Sequence, residues 1–390
     1  MARRAAIVVL DGVGIGEAPD AAAYGDAGSD TLGHVIEKMA PARLENLHEA
    51  GLGNIRSING LDATAQPHAA VGMMSPSSAG KDSTTGHWEI AGVRITIPFP
   101  TYPAGFPAPL LAEFSERTGR GVIANVVGSG TDVVARFGEE HLRTGAWIVY
   151  TSADSVFQIA AHEDLVPLAD LYAGCEIARE LLVTPNNVSR VIARPFAGAP
   201  GSFQRTANRR DFSVQPPAET LLDALASAGI ERSGVGKVDD LFAGRSITST
   251  HTSGNAEGIR LIHEWLGSPA DTGFLFANLV DFDQLYGHRN NVPGFFGALR
   301  EFDAALPTLR RALREEDLLF ITADHGNDPT TASSDHAREN VPVLAFGAAI
   351  RPGNTIGRRS TFADLGATVA EWFGVGFRGA GTSFLAQVLR

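Results

Sequence analysis

The stretch AAIVVLDGVGIG, residues 5–16, joins an apolar run to an aspartate and then to glycines at every second position. A continuous run rich in valine and isoleucine is typical of a strand buried on both faces of a parallel sheet. A glycine-rich turn after such a strand also opens dinucleotide-binding domains, but their fingerprint is G-x-G-x-x-G leading into a helix. Here the spacing is G-x-G-x-G, and the following Glu17-Ala-Pro-Asp is a poor helix start. We therefore interpret Asp11 as the functional residue and the glycines as giving its turn room beside a metal ion.

Three later stretches have the same character as the first strand. They are GFLFANLV at 273–280, LLFIT at 318–322 and VPVLAF at 341–346. Helical patterns at 219–229 and 296–313 separate several of these runs. Strands that alternate with helices predict an α/β fold with a central, mostly parallel sheet flanked by helices.

The length and the proline distribution predict two domains. A chain of 390 residues is long for one domain. Proline-rich stretches at 97–109 and 214–219 are expected at domain boundaries, because proline removes a sheet hydrogen-bond donor and restricts its predecessor. We expect a discontinuous catalytic core, 1–97 and 216–390, with a smaller α/β cap domain inserted at 98–215.

The composition excludes several classes of function. No apolar run approaches the roughly 18 residues that a membrane span needs. The net charge of −12 argues against nucleic acid as a partner, because neutralising phosphates takes clustered Lys and Arg. The single cysteine, Cys175, excludes an intramolecular disulfide and a thiolate metal cluster. These features favour a cytoplasmic protein that acts on a small molecule, with local positive charge if that molecule is anionic.

Aspartates and histidines follow three of the apolar runs. Ligands of open α/β sheets bind outside the carboxyl ends of the strands, so these side chains are expected to meet at one edge. Any one of them alone is more often a helix cap or a surface residue, but their joint placement favours a site for two divalent ions. Ligand type leaves manganese, magnesium, iron and zinc open. The candidates are Asp11, Asp283, His288, Asp324, His325 and His336.

The stretch AGKDSTTGHWEIAG, residues 79–92, contains a candidate nucleophile. It places Ser83 directly before a short helix that is predicted to begin near Thr84. A hydroxyl at a helix N-terminus suits a group that carries phosphate, because free N–H groups and the helix dipole favour negative charge. Neighbouring divalent ions would also lower its pKa. Serine at this position is equally an ordinary helix cap, and local sequence leaves both interpretations open.

Together these motifs closely resemble the prokaryotic phosphopentomutases, a family of the alkaline phosphatase superfamily. The resemblance implies an alkaline-phosphatase-like core with an inserted cap. It also implies interconversion of ribose or deoxyribose 1-phosphate and 5-phosphate through a phosphorylated enzyme and a pentose bisphosphate. The matching stretches are VVLDGVGIGEAPDA (8–21), GKDSTTGHWE (80–89), YTSADSVFQIAAHE (150–163), ARPFAG (193–198), LVDFDQLYGHR (279–289), ITADHGNDPTTASSDHARENVPVL (321–344) and TFADLGATVAEWFG (361–374).

The resemblance also implies roles for individual residues. Two manganese ions would be held, one by Asp11, Asp324 and His325, the other by Asp283, His288 and His336. The phosphorylated residue of the family is typically threonine, and Ser83 occupies that position here. A sugar bisphosphate such as glucose 1,6-bisphosphate is implied as activator. Substrate contacts are implied at Asp154, Arg194 and Lys237, with Arg205, Arg209 and Arg210 as further sources of positive charge.

Other functions stay open at this point. A metal-dependent phosphohydrolase of the same superfamily would use the same metals with water as the acceptor. The two functions differ in their use of water. A mutase needs its cap to exclude water during phosphoryl transfer, whereas a phosphohydrolase uses water as the acceptor. Cofactor-independent phosphoglycerate mutase shares the core but fits the cap motifs badly. A non-catalytic metal-binding protein would have no use for the Ser83 hydroxyl.

Overall fold

A computed structural model describes residues 3–152 and 155–390. The chain divides into two compact units, Met1–Ile97 with Pro216–Arg390, and Pro98–Gln215. We call the first the core unit and the second the inserted unit. Each contains its own sheet and helices.

Strands and helices alternate along most of the chain. In chain order the strands are β1 Arg4–Leu10, β2 Ala70–Met74, β3 Val122–Val127, β4 Trp147–Thr151, β5 Val156–His162, β6 Arg190–Ala197, β7 Gln204–Arg205, β8 Arg210–Ser213, β9 Arg232–Val235, β10 Thr248–Thr250, β11 Gly273–Leu279, β12 Asp317–Thr322, β13 Val341–Phe346 and β14 Thr355–Arg359. The α-helices are α1 Thr31–Met39, α2 Glu45–Ala50, α3 Ser83–Ile90, α4 Ala108–Thr118, α5 Gly130–Thr144, α6 Leu168–Leu181, α7 Leu221–Ser227, α8 Val238–Leu241, α9 Asn255–Gly267, α10 Val292–Arg311, α11 Ala363–Phe373 and α12 Leu385–Val388. Short 3-10 turns occupy Ala21–Tyr24, Leu52–Asn54 and Gly287–Arg289, and a π-helical turn occupies Phe282–Tyr286. No helix in the described ranges combines the length and the apolar character that a membrane crossing requires.

The core unit is built on an eight-stranded sheet in the order β10-β9-β11-β1-β12-β13-β2-β14. Only the two pairs that β13 makes, with β12 and β2, are antiparallel, and the other neighbouring pairs are parallel. The four apolar runs of the sequence form β1, β11, β12 and β13, and all residues of these strands are buried. The predicted α/β class with a central, mostly parallel sheet is therefore confirmed.

The register of the central strands decides where the site lies. Strand β1 lies between β11 and β12 and runs parallel to both. Its last residues pair with the last residues of both neighbours, Leu10 with Leu279 and Val9 with Thr322. The segments that follow β1, β11 and β12 therefore leave the sheet side by side at its carboxyl edge.

The inserted unit has a six-stranded sheet in the order β3-β4-β5-β6-β7, with β8 also paired to β6. Successive residues of β4 point to opposite faces, as the pleat requires. Trp147 packs on one face with residues of α4 and α6, including the buried Cys175. Ile148 and Tyr150 pack on the other face with residues of α5.

A buried ion pair holds the start of β1 in the core unit. Arg4 is 1% exposed, and its Nε donates to Oδ1 of Asp317 at 2.9 Å while Nη2 donates to the Leu266 carbonyl at 2.8 Å. Replacing Arg4 with methionine would leave the Asp317 carboxylate buried without its partner. We expect Arg4→Met to lower the free energy of unfolding by about 3–5 kcal/mol, measured by urea denaturation.

The exposed pair Arg260–Glu264 provides the control for that measurement. Arg260→Met removes an i,i+4 pair on the surface of α9, and we expect a loss of at most about 0.5 kcal/mol. Equal losses for the two variants would contradict the stabilising role of the buried pair.

Candidate active site

The three aspartates of the predicted metal site meet at the carboxyl edge of the core sheet. Asp11 directly follows β1, Asp324 follows β12 after one intervening residue, and Asp283 lies in the π-helical turn after β11. Because β1 separates β11 from β12, these carboxylates leave three adjacent strands. All three are buried, with at most 4% of each residue exposed.

The histidines join the aspartates into one contiguous cluster. His325 Nε2 lies 3.3 Å from Asp11 Oδ1 and 3.4 Å from Asp324 Oδ2. His336 Nε2 lies 3.3 Å from Asp283 Oδ1, and the rings of His325 and His336 are 4.1 Å apart. The structure therefore brings these candidates together.

The donor atoms of the candidate ligands fall into two overlapping sets. Asp11, Asp324 and His325 form one set whose donor atoms lie within 4.8 Å of one another. A second such set combines Asp283 and His336 with His325. The sixth candidate, His288, is adjacent, with its Nε2 3.2 Å from Asp283 Oδ2 and its Nδ1 2.7 Å from the Ser334 carbonyl. His325 thus belongs to both sets.

The donor atoms of this cluster fit divalent metal ions. Oδ2 of Asp324 and Nε2 of His336 are buried and have close polar neighbours but no well-directed hydrogen bond among the described residues. Asp324 Oδ2 lies 3.1 Å from His87 Nδ1, and His336 Nε2 lies 3.3 Å from Asp283 Oδ1. Buried carboxylates and imidazoles in this state are costly unless a cation satisfies them. Carboxylate oxygen and imidazole nitrogen suit manganese, iron and zinc on ligand type.

The protein's own charges partly compensate the carboxylates. Burial alone lowers the pKa of His325, but the charge of Asp324 and the hydrogen bond and charge of Asp11 raise it to about 10. Burial alone raises the pKa of Asp283, but the charge of His336 and the close contacts of the His288 and His336 rings hold it well below its usual range. His325 is therefore a cation at neutral pH when no metal ion competes for it.

Metal binding at this site should release protons. A ligating imidazole must be neutral, so an ion that binds His325 displaces the proton that the raised pKa retains. For each proton released, we expect metal affinity to rise about tenfold per pH unit while the pH is below that pKa. Calorimetric titration in buffers of different ionisation enthalpy measures the number released. A count of zero at pH 7 would contradict this prediction.

Ser83 faces the metal-ligand cluster. It is the first residue of α3, so the helix begins one residue earlier than predicted. Its Oγ lies 3.2 Å from His325 Nε2 and 3.4 Å from Asp11 Oδ1. The cap is Asp82, whose side chain accepts from the Thr85 N–H at 3.0 Å and the Thr85 hydroxyl at 2.6 Å. Because Asp82 serves as the cap, the Ser83 hydroxyl is not occupied by capping.

Lys237 belongs to the same cluster. Its Nζ lies 2.7 Å from Asp11 Oδ2 and 3.4 Å from Ser83 Oγ. Burial alone lowers its pKa, but the charges of Asp11 and Asp283 outweigh burial and raise it. The structure thus places this lysine, which follows β9 in the core unit, as an ammonium beside the hydroxyl.

The remaining predicted substrate residues lie in the inserted unit. The charges of Arg194, Arg205 and Arg209 all reach the buried Tyr150, although burial dominates and raises the tyrosine's pKa. Arg194 donates from Nε to Gln158 at 3.0 Å, and Arg209 binds both carboxylate oxygens of Asp211 at 2.7 Å. The structure brings the three arginines together in one basic cluster.

Arg210 and Asp154 are the last two residues that were predicted near the substrate. The Arg210 guanidinium stacks on the rings of Tyr172 and Phe212, at 5.3 and 4.9 Å. Asp154 lies outside the described residues.

Two glycines shape the site. Gly12 has a φ of +76°, which favours glycine, and its N–H donates to Asp324 Oδ1 at 3.1 Å. This agrees with the expectation that the glycines after β1 serve the turn at Asp11.

Gly86, on the Ser83 helix, was not singled out from the sequence, yet a Cβ there would lie 2.2 Å from the Asp324 carbonyl oxygen. Its lack of a side chain allows α3 to pack directly against the Asp324 segment.

We expect Gly86→Ala to separate the hydroxyl from the metal ligands. Relieving the 2.2 Å contact requires a shift of roughly 1 Å, and misplacement of that size costs on the order of 10²-fold in catalytic rate. Steady-state kinetics would measure the loss. Gly297→Ala on α10 is the matched control, since nothing lies within 4 Å of a Cβ at that position. Wild-type kinetics for Gly86→Ala would show that this close packing is not required.

A protein-family model and curated relatives match nearly the whole chain. The metalloenzyme superfamily model matches residues 3–376. A phosphopentomutase of Caldanaerobacter subterraneus subsp. tengcongensis is 52% identical over 389 residues, covering 100% of this chain and 98% of the relative. A phosphopentomutase of Symbiobacterium thermophilum is 53% identical over 389 residues, covering 99% of this chain and 98% of the relative.

Solved structures share the fold at much lower identity. The PH0037 protein from Pyrococcus horikoshii is similar with a TM-score of 0.50 at 15% identity, covering 98% of this chain and 99% of that chain. A Leishmania mexicana phosphoglycerate mutase also has a TM-score of 0.50, at 14% identity, covering 98% of this chain and 97% of that chain. The expected alkaline-phosphatase-like α/β architecture is confirmed. Full-length identity of this extent shows that the chain belongs to the phosphopentomutase family of isomerases, within the metalloenzyme superfamily.

Proposed function

We propose that the chain interconverts ribose or deoxyribose 1-phosphate and 5-phosphate through a phosphorylated Ser83 and a pentose bisphosphate. The observation that carries this proposal is the position of Ser83 Oγ, at a helix N-terminus and within 3.4 Å of Asp11, His325 and Lys237. The phosphopentomutase relatives support the choice of substrate.

The proposed reaction consists of two phosphoryl transfers. In the first, the free hydroxyl oxygen of a pentose monophosphate forms a bond to phosphorus while the bond from phosphorus to Ser83 Oγ breaks. The hydroxyl proton is transferred to Ser83 Oγ, and the product is a pentose bisphosphate. The bisphosphate then turns, and Ser83 Oγ attacks its other phosphate. The proton returns to the sugar oxygen as that bond breaks, so the net change is an isomerisation.

Lys237 has a direct part in both transfers. It stays an ammonium because its pKa is raised, so it acts as a hydrogen-bond donor and not as a base. From 3.4 Å its Nζ can donate to Ser83 Oγ when negative charge develops there. Such a donor is worth most in a site from which water is excluded.

We propose that divalent ions are held by the cluster at Ser83, one by Asp11, Asp324 and His325, the other by Asp283, His288 and His336. Such ions would stabilise negative charge on the transferring phosphoryl group. The family resemblance makes Mn²⁺ our choice, with a sugar bisphosphate such as glucose 1,6-bisphosphate supplying the first phosphoryl group.

Substrate recognition is proposed for the basic cluster of the inserted unit. Arg194, Arg205 and Arg209 offer planar donors that match phosphate oxygens. Together with Asp154 they would bind the pentose phosphate. The single, buried cysteine suits a reducing setting, and we propose a cytoplasmic location.

Phosphorus NMR of ribose 1-phosphate with the protein, Mn²⁺ and a trace of glucose 1,6-bisphosphate tests the proposal. We expect the signal to move to ribose 5-phosphate with little inorganic phosphate. Accumulation of inorganic phosphate would instead establish the phosphohydrolase alternative. An unchanged ribose 1-phosphate signal would overturn the proposed substrate.

A further inference from the structure

His87 lies behind the Ser83 hydroxyl and the Asp324 carboxylate. It is one helical turn after Ser83 on α3 and is fully buried. Its Nδ1 lies 2.9 Å from the Ser83 carbonyl oxygen and 3.1 Å from Asp324 Oδ2. The same ring nitrogen therefore faces both the helix turn that carries the nucleophile and a candidate metal-binding oxygen.

The partners of the ring decide which nitrogen carries the proton. The carbonyl of Ser83 and the carboxylate of Asp324 can only accept, so Nδ1 must be the donor. On the other side of the ring, Nε2 lies 2.9 Å from Nδ2 of Asn278, which donates to it. This pattern makes Nδ1 the donor of the ring and Nε2 its acceptor.

Asn278 is an exception in its strand. It is 0% exposed in β11, a strand whose sequence GFLFANL is otherwise apolar. A buried amide costs free energy unless it is hydrogen-bonded, and the contact with His87 satisfies its Nδ2. The Nδ2 of Asn278 thus holds the imidazole, while its Oδ1 is buried without a hydrogen-bond partner among the described residues.

We propose that His87, held by Asn278, is a positioning residue for the metal site. Its Nδ1–H donates to the Ser83 carbonyl and so anchors the first turn of α3. The same ring edge contacts Oδ2 of Asp324 at 3.1 Å and so sets the orientation of that carboxylate, which joins nucleophile and metal ligand into one rigid group. The inference rests on the proposed function only in taking Asp324 as a metal ligand. Hydrogen-bonding partners behind metal ligands commonly set ligand orientation in this way.

The test compares two substitutions whose side-chain amides reach the positions of different ring nitrogens of His87. In His87→Asn the side-chain amide can place an N–H near the position of Nδ1, whereas in His87→Gln the amide reaches toward the position of Nε2. We expect His87→Gln to weaken Mn²⁺ binding by about 10–100-fold and His87→Asn to recover most of the loss. The readout is the dissociation constant for Mn²⁺ of the full chain, measured by calorimetric titration without substrate.

His141→Gln is the matched control. His141 is also fully buried, with Nδ1 2.6 Å from the Ala146 carbonyl and Nε2 accepting from the His162 N–H at 2.9 Å, but it belongs to the inserted unit. We expect it to lower the unfolding temperature while leaving the dissociation constant for Mn²⁺ unchanged. A purely structural His87 would behave in the same way.

The outcomes separate this inference from the proposed function. Wild-type Mn²⁺ affinity in His87→Gln overturns the positioning role while the metal site stands. Failure of the wild-type chain itself to bind Mn²⁺ refutes the metal site and, with it, the proposed function. Should His87→Gln be recovered only as unfolded protein, Asn278→Ala replaces it, because the imidazole then remains and only its support is lost. We expect about tenfold weaker binding in that variant, and unchanged binding would overturn the inference.

Discussion

Ser83→Ala is expected to reduce isomerisation by at least about 10³-fold, because the substitution removes the hydroxyl that we propose to carry phosphate between the two transfers. Intact-mass measurement after incubation with glucose 1,6-bisphosphate should show a phosphorylated wild-type chain and an unmodified variant. The substitution deletes one oxygen at the start of α3 and leaves the Asp82 cap in place, so we expect the fold to persist.

Ser83→Thr is the conservative control for this experiment. It retains a hydroxyl at the position where the family typically has threonine, and we expect phosphorylation and activity to persist. The neighbouring Thr85 hydroxyl is engaged by Asp82 at 2.6 Å and is not expected to substitute for Ser83. Phosphorylated protein or near wild-type turnover in Ser83→Ala would show that another group accepts the phosphate.

Asp283→Asn is expected to abolish metal binding at one of the two positions and activity with it. The Asp283 carboxylate is 4% exposed, and its two oxygens face His336 and His288 at 3.3 and 3.2 Å. Asparagine keeps the shape but removes the charge that the ion requires. We expect Mn²⁺ affinity at that position to fall by more than about 10²-fold, measured by calorimetric titration and by metal content after dialysis.

The matched control is Asp303→Asn on α10. Asp303 is also buried in the core unit, where Oδ1 accepts from the Leu47 N–H at 2.7 Å and Oδ2 from the Asn46 amide at 3.2 Å, and neither partner belongs to the metal cluster. We expect lower stability with unchanged metal content. Two bound Mn²⁺ per chain in Asp283→Asn would contradict the assignment of Asp283 as a ligand.

The fold class was predictable because buried parallel strands have a distinctive composition. The runs at β1, β11, β12 and β13 are apolar throughout, and the structure buries every residue of these strands. The convergence of Asp11, Asp283 and Asp324 followed from the same pattern, since parallel strands direct their carboxyl ends to one edge.

Other features depended on neighbours that local sequence does not identify. Asp82 and Ser83 are both good cap residues, and only the structure shows that Asp82 accepts the Thr85 N–H. Lys237 was implied as a substrate contact by the resemblance, but its place beside Asp11 Oδ2 depends on the position of β9 in the sheet. Gly86 and His87 are ordinary residues of a helix until Asp324 packs against them.

The sequence by itself therefore determined the α/β class, the type of ligands and the candidate nucleophile, because periodicity, side-chain chemistry and strand ends are local properties. Only the tertiary structure decided the order of the strands in the sheet, and with it that His325 belongs to both ligand sets and that His87 contacts both Ser83 and Asp324. Contacts of this kind join residues far apart in the chain, as Asn278 and His87 show. Their geometry is set by the packing of strands and helices against one another, which no single segment encodes.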